Sequence, residues 1–428
     1  MQKILVILML LFLFNGNMVL AAGAKDGVAV DQELLKPAAW LDKQNGDVII
    51  MDSQEINAMN KLMLSDKMPD LQSYPVYISG EKIKNLIQEY EFYSDLYVNG
   101  KQLTSGQIAA LTADCNLAAV AEETKVKYGI VAQRTNLRSL PTGLKAFSEP
   151  GDNEFDVWQE TAVDPAEPVI ILHFSKGKDY VYIQMRNYRG WLPAKAVALA
   201  DRDTWLKYVF PGKFAIVTGK LLRLNENNAK WAFQMGSRIP TEGKRLLLPA
   251  RDANGNLKIV KSSASYGDVL HDGYLPYTTN NLIKQAFRFL GNPYGWGGLQ
   301  ESVDCSSFLA DVYRTVGVEL PRNADEQEEA YTGTAMDFSA YGGNEKLNLV
   351  NNLPIGSALF MPNHVMLYLG SKKDRPYIIH ALGSYGARTE SGEYQRVPIM
   401  KVIVSDLSLK TRRGNSFLEE LSSAQSYR

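Results

Sequence analysis

The chain has little cysteine and little histidine. Its 428 residues contain two cysteines, Cys115 and Cys305, and four histidines, His173, His271, His364 and His380. Two cysteines in a chain this long do not build a disulfide framework. A structural zinc site wants three or four Cys or His ligands at short spacing, and no such cluster is present. An excess of one charge is also missing: 46 basic residues stand against 47 acidic ones. No basic tail or patch points to nucleic acid. Beyond the N-terminus no apolar run is long enough to cross a bilayer, so stable membrane insertion is not expected. What the chain does have is an ordinary hydrophobic share of 45%, enough for several cores, and a length that suggests about three domains.

The one long apolar run lies at the start. Met1-Gln2-Lys3 is short and basic, Ile4 to Phe14 is uninterrupted, and small residues follow at Ala21-Ala22-Gly23-Ala24. Residues 1–24 therefore read as a secretory signal peptide, too short for a spanning helix. No cysteine lies near the cleavage region, which argues against a lipoprotein anchor. Export to the periplasm or cell envelope is expected. In an oxidising compartment a Cys115–Cys305 bridge is one alternative; the preferred reading keeps Cys115 as a packed or semi-exposed free thiol.

Cys305 carries the chemistry. Phe308, Leu309, Val312, Tyr313 and Val316 recur at three- and four-residue spacing and mark one buried helix face. Gly317 offers a stop and Pro321 forbids continuation. Asp304 is a good N-cap, so Cys305 falls on the first turn, where free amides and the helix dipole favour negative charge. A thiolate is the nucleophilic form, and a helix start with a nearby imidazolium can lower a thiol pKa to ~3.5–7.5. The Asp304 carboxylate opposes that shift, so a histidine is expected to supply much of it.

Two histidines lie downstream on strand-like segments. His364-Val365-Met366-Leu367-Tyr368-Leu369 and Tyr377-Ile378-Ile379-His380-Ala381-Leu382 flank the turn residues Gly370 to Asp374. A hairpin centred near Lys372 would make His364 and His380 cross-strand neighbours. His364 is then the candidate base for Cys305, and His380 the residue that orients it. Taken singly, a cysteine is usually a small buried hydrophobe and a strand histidine a satisfied half-buried side chain. The order and register of the three together favour catalysis.

These residues sit within four stretches that resemble the NlpC-type cell-wall cysteine peptidases, a papain-like family. They are Asn292 to Gly298, Asp304 to Ser307, Leu320 to Gln327, and Gly356-Ser357-Ala358-Leu359-Phe360 leading to His364 through Gly370. Ser307 stands where the family more often has Gly, and Ser357 where an acidic residue is common. The resemblance covers about residues 275–410. It implies Cys305 as nucleophile, His364 as base, His380 as orienting residue and Tyr294 near the nucleophile, with no cofactor and no metal. It also implies acyl transfer on cell-wall peptides, between D-glutamate and a diamino acid.

The fold expected is multidomain. A mixed, partly helical region (25–125), in which Ile83, Leu86, Ile87 and Tyr90 recur at helical spacing, precedes an all-β stretch (126–205). Thr135 to Thr142 and Gly190-Trp191-Leu192-Pro193 resemble bacterial SH3-like domains. A second β unit (206–270), with a hairpin turn at Asp252-Ala253-Asn254-Gly255-Asn256, reads as a second SH3-like barrel. An α+β papain-like peptidase domain (275–410) and a C-terminal tail (411–428) complete the chain. This layout resembles a subgroup in which the first SH3-like domain closes the cleft. That subgroup recognises the free amino terminus of L-Ala-γ-D-Glu-diamino acid peptides. A buried ammonium needs a carboxylate and hydrogen-bond acceptors; Asp304 and Ser306 are the candidates, and the resemblance implies Tyr188 as a substrate-facing tyrosine. The expectation is a γ-D-glutamyl-L-diamino acid endopeptidase acting on peptidoglycan peptides. The rivals are a non-catalytic wall-binding protein and an amidase or acyltransferase on the same fold.

Overall fold

The computed structural model describes residues 30–92, 95–226, 229–263, 266–330 and 334–428. The expected signal peptide lies outside the described residues. Three larger sheets follow one another along the chain.

The first sheet has seven antiparallel strands, from Lys127–Val131 to Val197–Ala200. Its strand Pro168–Phe174 is apolar without a break through Leu172 because both faces are covered. Val169 and Ile171 point into one core with Leu137, Ile183 and Leu192. Ile170 and Leu172 point into another with Ile83, Leu86, Ile87 and Trp205. The helix Gly80–Gln88 thus lays its apolar stripe over this sheet, while Tyr90 lies just past the helix end.

The second sheet has five strands in the order Leu257–Ser263, Arg245–Arg251, Arg238–Glu242, Phe214–Val217 and Leu270–Asp272. The turn between Arg251 and Leu257 closes as its composition dictates: Asp252 Oδ1 accepts from the amides of Asn254 and Asn256, and Gly255 takes φ +89°.

The third sheet has six strands in the order Ala335–Asp337, Ser423–Gln425, Ala358–Met361, His364–Lys372, Arg375–Arg388 and Tyr394–Asp406. Val365, Leu367, Ile379 and Val402 face the helices Thr279–Phe287 and Cys305–Arg314. Met366, Tyr368 and Ile378 face Val350, Phe417 and Leu421.

Two segments depart from expectation. The C-terminal stretch 411–428 is not a tail. Ser423–Gln425 is inserted between two strands of the third sheet, and Ala424 and Tyr427 are buried. A three-residue strand is too short to show its alternation in sequence, which is why only packing reveals it. The N-terminal region divides between two cores. Trp40, Ile56, Met59, Met63 and Met68 pack with the helix of Cys305, whereas Ile83 to Leu111 pack on the first sheet.

Candidate active site

The helix Cys305–Arg314 starts where it does because Asp304 keeps an extended backbone and caps it. Asp304 Oδ1 accepts the Ser307 amide at 2.9 Å, and Ser307 Oγ accepts the Asp304 amide at 2.9 Å. The serine found where glycine is commoner thus completes a reciprocal cap. Phe308, Leu309, Val312 and Tyr313 bury the helix face that their spacing marked, and Gly317 follows at φ +92°.

Around Cys305 the structure gathers three features. The sulfur lies against the backbone N–H of Val365, the residue after His364, so the thiol meets the histidine strand at its first link. The buried Tyr294 hydroxyl lies near enough to the sulfur for the two groups to interact. His364 Nε2 is 2.7 Å from His380 Nδ1, and His380 Nε2 is 3.0 Å from Ser405 Oγ. Phe417 packs edge-on against both imidazoles.

The two histidines are not directly opposite, as a simple hairpin about Lys372 would have them. The turn closes at Lys373-Asp374, with Lys372 paired to Arg375, and a bulge between Tyr368 and Gly370 then shifts the register by one residue, so that Leu367 pairs with Ile379. Continuing that register sets Met366 opposite His380. His364 lies two residues further along on the same face, a diagonal neighbour still within ring reach.

Burial dominates the site's protonation. It pushes the Cys305 thiol up to about 11, with the Asp304 charge acting in the same direction; the Val365 and Ser306 amides and Arg322 oppose them. Burial also draws His364 down to about 4 and His380 well below its ordinary value. Desolvation thus favours the uncharged thiol and the uncharged imidazoles over their charged forms. The expected low thiol pKa is corrected: desolvation outweighs the helix start.

Asp304 and Ser306 both have partners within the protein. Burial alone would raise the Asp304 carboxyl, but the Arg322 guanidinium reverses this and holds it below the usual range. Arg322 Nη2 donates to Asp304 Oδ2 at 2.6 Å, and Nη1 donates to Ser306 Oγ at 2.9 Å. The Gly297 amide takes the same Oδ2 at 3.0 Å. An internal cation already neutralises the carboxylate proposed for a substrate ammonium. Tyr188 connects to this pair through Glu160, whose backbone carbonyl accepts from Arg322 Nη2 at 3.1 Å. The Tyr188 hydroxyl donates to Glu160 Oε2 at 2.7 Å and accepts from Asn323 Nδ2 at 3.4 Å. Glu160 is the partly exposed carboxylate on this side. Arg322, Glu160 and Ser405 were not singled out from sequence. Arg322 lies in a stretch that was noted, but its partner is 18 residues away and no local pattern connects them.

The first sheet walls the site. Gln159 Nε2 donates to the Gly297 carbonyl at 2.8 Å, and Trp296 Nε1 to the Asp156 carbonyl at 2.8 Å. At Gly297, with φ +54°, a Cβ would come within 2.6 Å of the Gln159 side chain, so only glycine permits this approach.

Both cysteines are free and buried, so Cys115 does not bridge to Cys305. Burial raises the Cys115 thiol to about 12 and leaves it inert. His173 Nε2 meets the Asn116 carbonyl at 3.1 Å, and His271 Nδ1 the Gly273 carbonyl at 3.0 Å, each away from Cys305. Among the described residues no group of three or more His, Cys, Asp or Glu is placed to hold a metal ion. Among them, too, no helix is long and apolar enough to cross a membrane.

Two parts of the chain match known families. Residues 291–401 match the NlpC/P60 family, and residues 145–193 match an SH3 domain of the SH3b1 type. The chain carries an NlpC/P60 domain together with an SH3b domain. It is 30% identical over 105 residues to the gamma-D-glutamyl-L-lysine dipeptidyl-peptidase of Bacillus subtilis (strain 168), covering 22% of this chain and 31% of that protein. It is 26% identical over 198 residues to the Bacillus cereus protein of the same name, covering 43% of this chain and 54% of that one. The chain thus spans about a third to a half of the curated relatives it matches. An NlpC/P60 endopeptidase structure from Photobacterium damselae subsp. piscicida superposes over 94% of this chain and 98% of that one, with TM-score 0.77 at 18% identity. That likeness concerns the fold.

Proposed function

We propose that this chain is an exported cysteine endopeptidase that hydrolyses the γ-D-glutamyl-L-diamino acid bond of peptidoglycan peptides bearing a free amino-terminal L-Ala. The observation that carries the reading is the Cys305 thiol at a helix start, against the strand link that bears His364, with His364 joined to His380 at 2.7 Å. The names of the Bacillus relatives support the bond and the substrate class. On this reading the third sheet with its helices is a papain-like core, and the unit 206–270 is a second SH3-like barrel.

The chemistry follows from the uncharged pair that desolvation favours. Cys305 Sγ attacks the γ-glutamyl carbonyl carbon while its proton passes to His364, so S–C bond formation and proton transfer are coupled. The carbonyl oxygen gains charge, and the backbone N–H of Cys305, at the first helical position, is the proposed donor to it. His364 then returns its proton to the departing amine and the C–N bond breaks. Water attacks the thioester with His364 as base, releasing the glutamyl carboxylate and restoring the thiol. His380 orients the His364 ring, and the Tyr294 hydroxyl interacts with the sulfur. No cofactor enters this sequence.

For the substrate's amino group, the arrangement favours Glu160 with Tyr188 over Asp304, because Arg322 already pairs with Asp304. Asp304, Ser306 and Arg322 then act as the rigid floor of the site. The test is cleavage of L-Ala-γ-D-Glu-diaminopimelate and of its N-acetylated form, followed by mass spectrometry. Release of diaminopimelate from the free-amine peptide alone supports the reading. Equal cleavage of both removes the amino-group requirement, and cleavage of neither removes the substrate.

A further inference from the structure

Ser405 lies on the strand Tyr394–Asp406, wholly buried, with Oγ 3.0 Å from His380 Nε2. His380 is paired across the sheet with Ile403, so Ser405 is its diagonal neighbour on the same face. The other nitrogen of His380 is 2.7 Å from His364 Nε2. Two buried polar groups, Ser405 and His380, and the half-buried His364 therefore form a single file that runs from the sheet interior to the strand link touched by Cys305.

We infer that Ser405 is a positioning residue that sets the polarity of this file, and with it the tautomer of His364. The inference rests on the reading of Cys305 and His364 as nucleophile and base. His364 Nε2 is committed to His380, which leaves Nδ1 as the only ring nitrogen that can take the thiol proton. Nδ1 can do so only if it carries no hydrogen, so the hydrogen of neutral His364 must sit on Nε2. That N–H then donates to His380 Nδ1, which must in turn be bare. Neutral His380 therefore carries its hydrogen on Nε2 and donates it to Ser405 Oγ. Reversing one end reverses all of it: if Ser405 donated to His380 Nε2, His380 would donate to His364. Nδ1–H would then face the sulfur, and no proton could be accepted. Desolvation lowers both rings, and for the buried His380 the neighbouring His364 acts in the same direction, so the neutral forms are favoured. A doubly protonated ring cannot evade the choice. Sequence gives no sign of this role, since serine is a common residue and its spacing from His380 acquires meaning only in the sheet register.

The test is the tautomeric state itself, read by long-range proton–nitrogen correlation on the histidine-labelled full chain. With four histidines in the chain, single removals assign the signals. In the wild type at pH 7 the expected pattern is a bare Nδ1 and a protonated Nε2 on both His364 and His380. Ser405→Ala should move these signals toward a mixture of tautomers and lower kcat on L-Ala-γ-D-Glu-diaminopimelate about tenfold, with KM changed less than about threefold. Ser405→Thr, which keeps the hydroxyl, should restore both readouts. A protonated Nδ1 on wild-type His364 overturns the inference without any variant. So does a Ser405→Ala chain whose signals and kcat match wild type, or a Ser405→Thr chain no better than Ser405→Ala. Full turnover by Cys305→Ala would instead overturn the underlying mechanism, and the tautomer signals would be unaffected by that outcome.

Discussion

His364 Nε2 and His380 Nδ1 are 2.7 Å apart, and this contact joins two strands that a bulge has slipped out of simple register. It commits one nitrogen of each ring and leaves a single nitrogen of His364 for proton transfer. The pair is enclosed by Phe417 on one side and the sheet on the other. Ring rotation is thus limited by packing as well as by the hydrogen bond.

Cys305→Ala should lower turnover of the free-amine peptide by about ten-thousandfold or more, and His364→Ala should come close to it, because nucleophile and base act as a unit. His380→Ala should lose less, about ten- to hundredfold, since it removes orientation and leaves the base. The cap made by Asp304 and Ser307 is untouched by Cys305→Ala, so its melting temperature should stay near wild type. Product release followed by mass spectrometry and a thermal melt check these outcomes.

Arg322→Ala should be among the most destabilising single changes at the site. It leaves the Asp304 carboxylate buried without its cation, a loss of about 3–5 kcal/mol for a broken buried pair. Arg322→Ala combined with Asp304→Asn should recover part of this, because the stranded charge is gone. Urea midpoints of the single and double variants decide the matter; equal midpoints for both would refute the pairing argument.

Acid should weaken the fold through the histidines. Burial holds His364 near 4 and His380 well below its ordinary value. Between the ordinary histidine pKa of about 6.5 and these lowered values, the unfolded chain binds protons that the native chain refuses. Their stabilising contribution is therefore present above about pH 6.5 and is lost as pH falls toward 4. Urea midpoints at pH 7 and pH 4.5 should differ less in a His364→Asn chain than in wild type. Turnover of the folded enzyme should hold through this range and fall only as pH approaches 4, where His364 itself takes up a proton.

Glu160→Gln should raise KM for the free-amine peptide about tenfold with a smaller effect on kcat, because it removes charge remote from the scissile bond. Tyr188→Phe should act in the same direction but more weakly, losing the hydroxyl that holds Glu160 at 2.7 Å. Steady-state kinetics on both variants test this. An unchanged KM in Glu160→Gln would return the search for the ammonium partner to other residues.

Local chemistry in the chain determined a good deal. The periodicity of Phe308, Leu309, Val312 and Tyr313, with Asp304 before and Gly317 after, specified a capped helix. Asp252 to Asn256 specified a tight turn, and the motifs around Cys305 and His364 pointed to the NlpC/P60 family. All of these signals lie within a few residues of one another, where backbone dihedrals and hydrogen-bond geometry act directly. Tertiary structure decided what depends on distant partners. Arg322 reaches back to neutralise Asp304, a bulge sets the diagonal of His364 and His380, and the last residues enter the third sheet as a strand. Burial then chose the neutral form of thiol and imidazole over the charged form that the helix start alone favours. Desolvation is a property of everything packed around a group, and no short stretch of sequence encodes it.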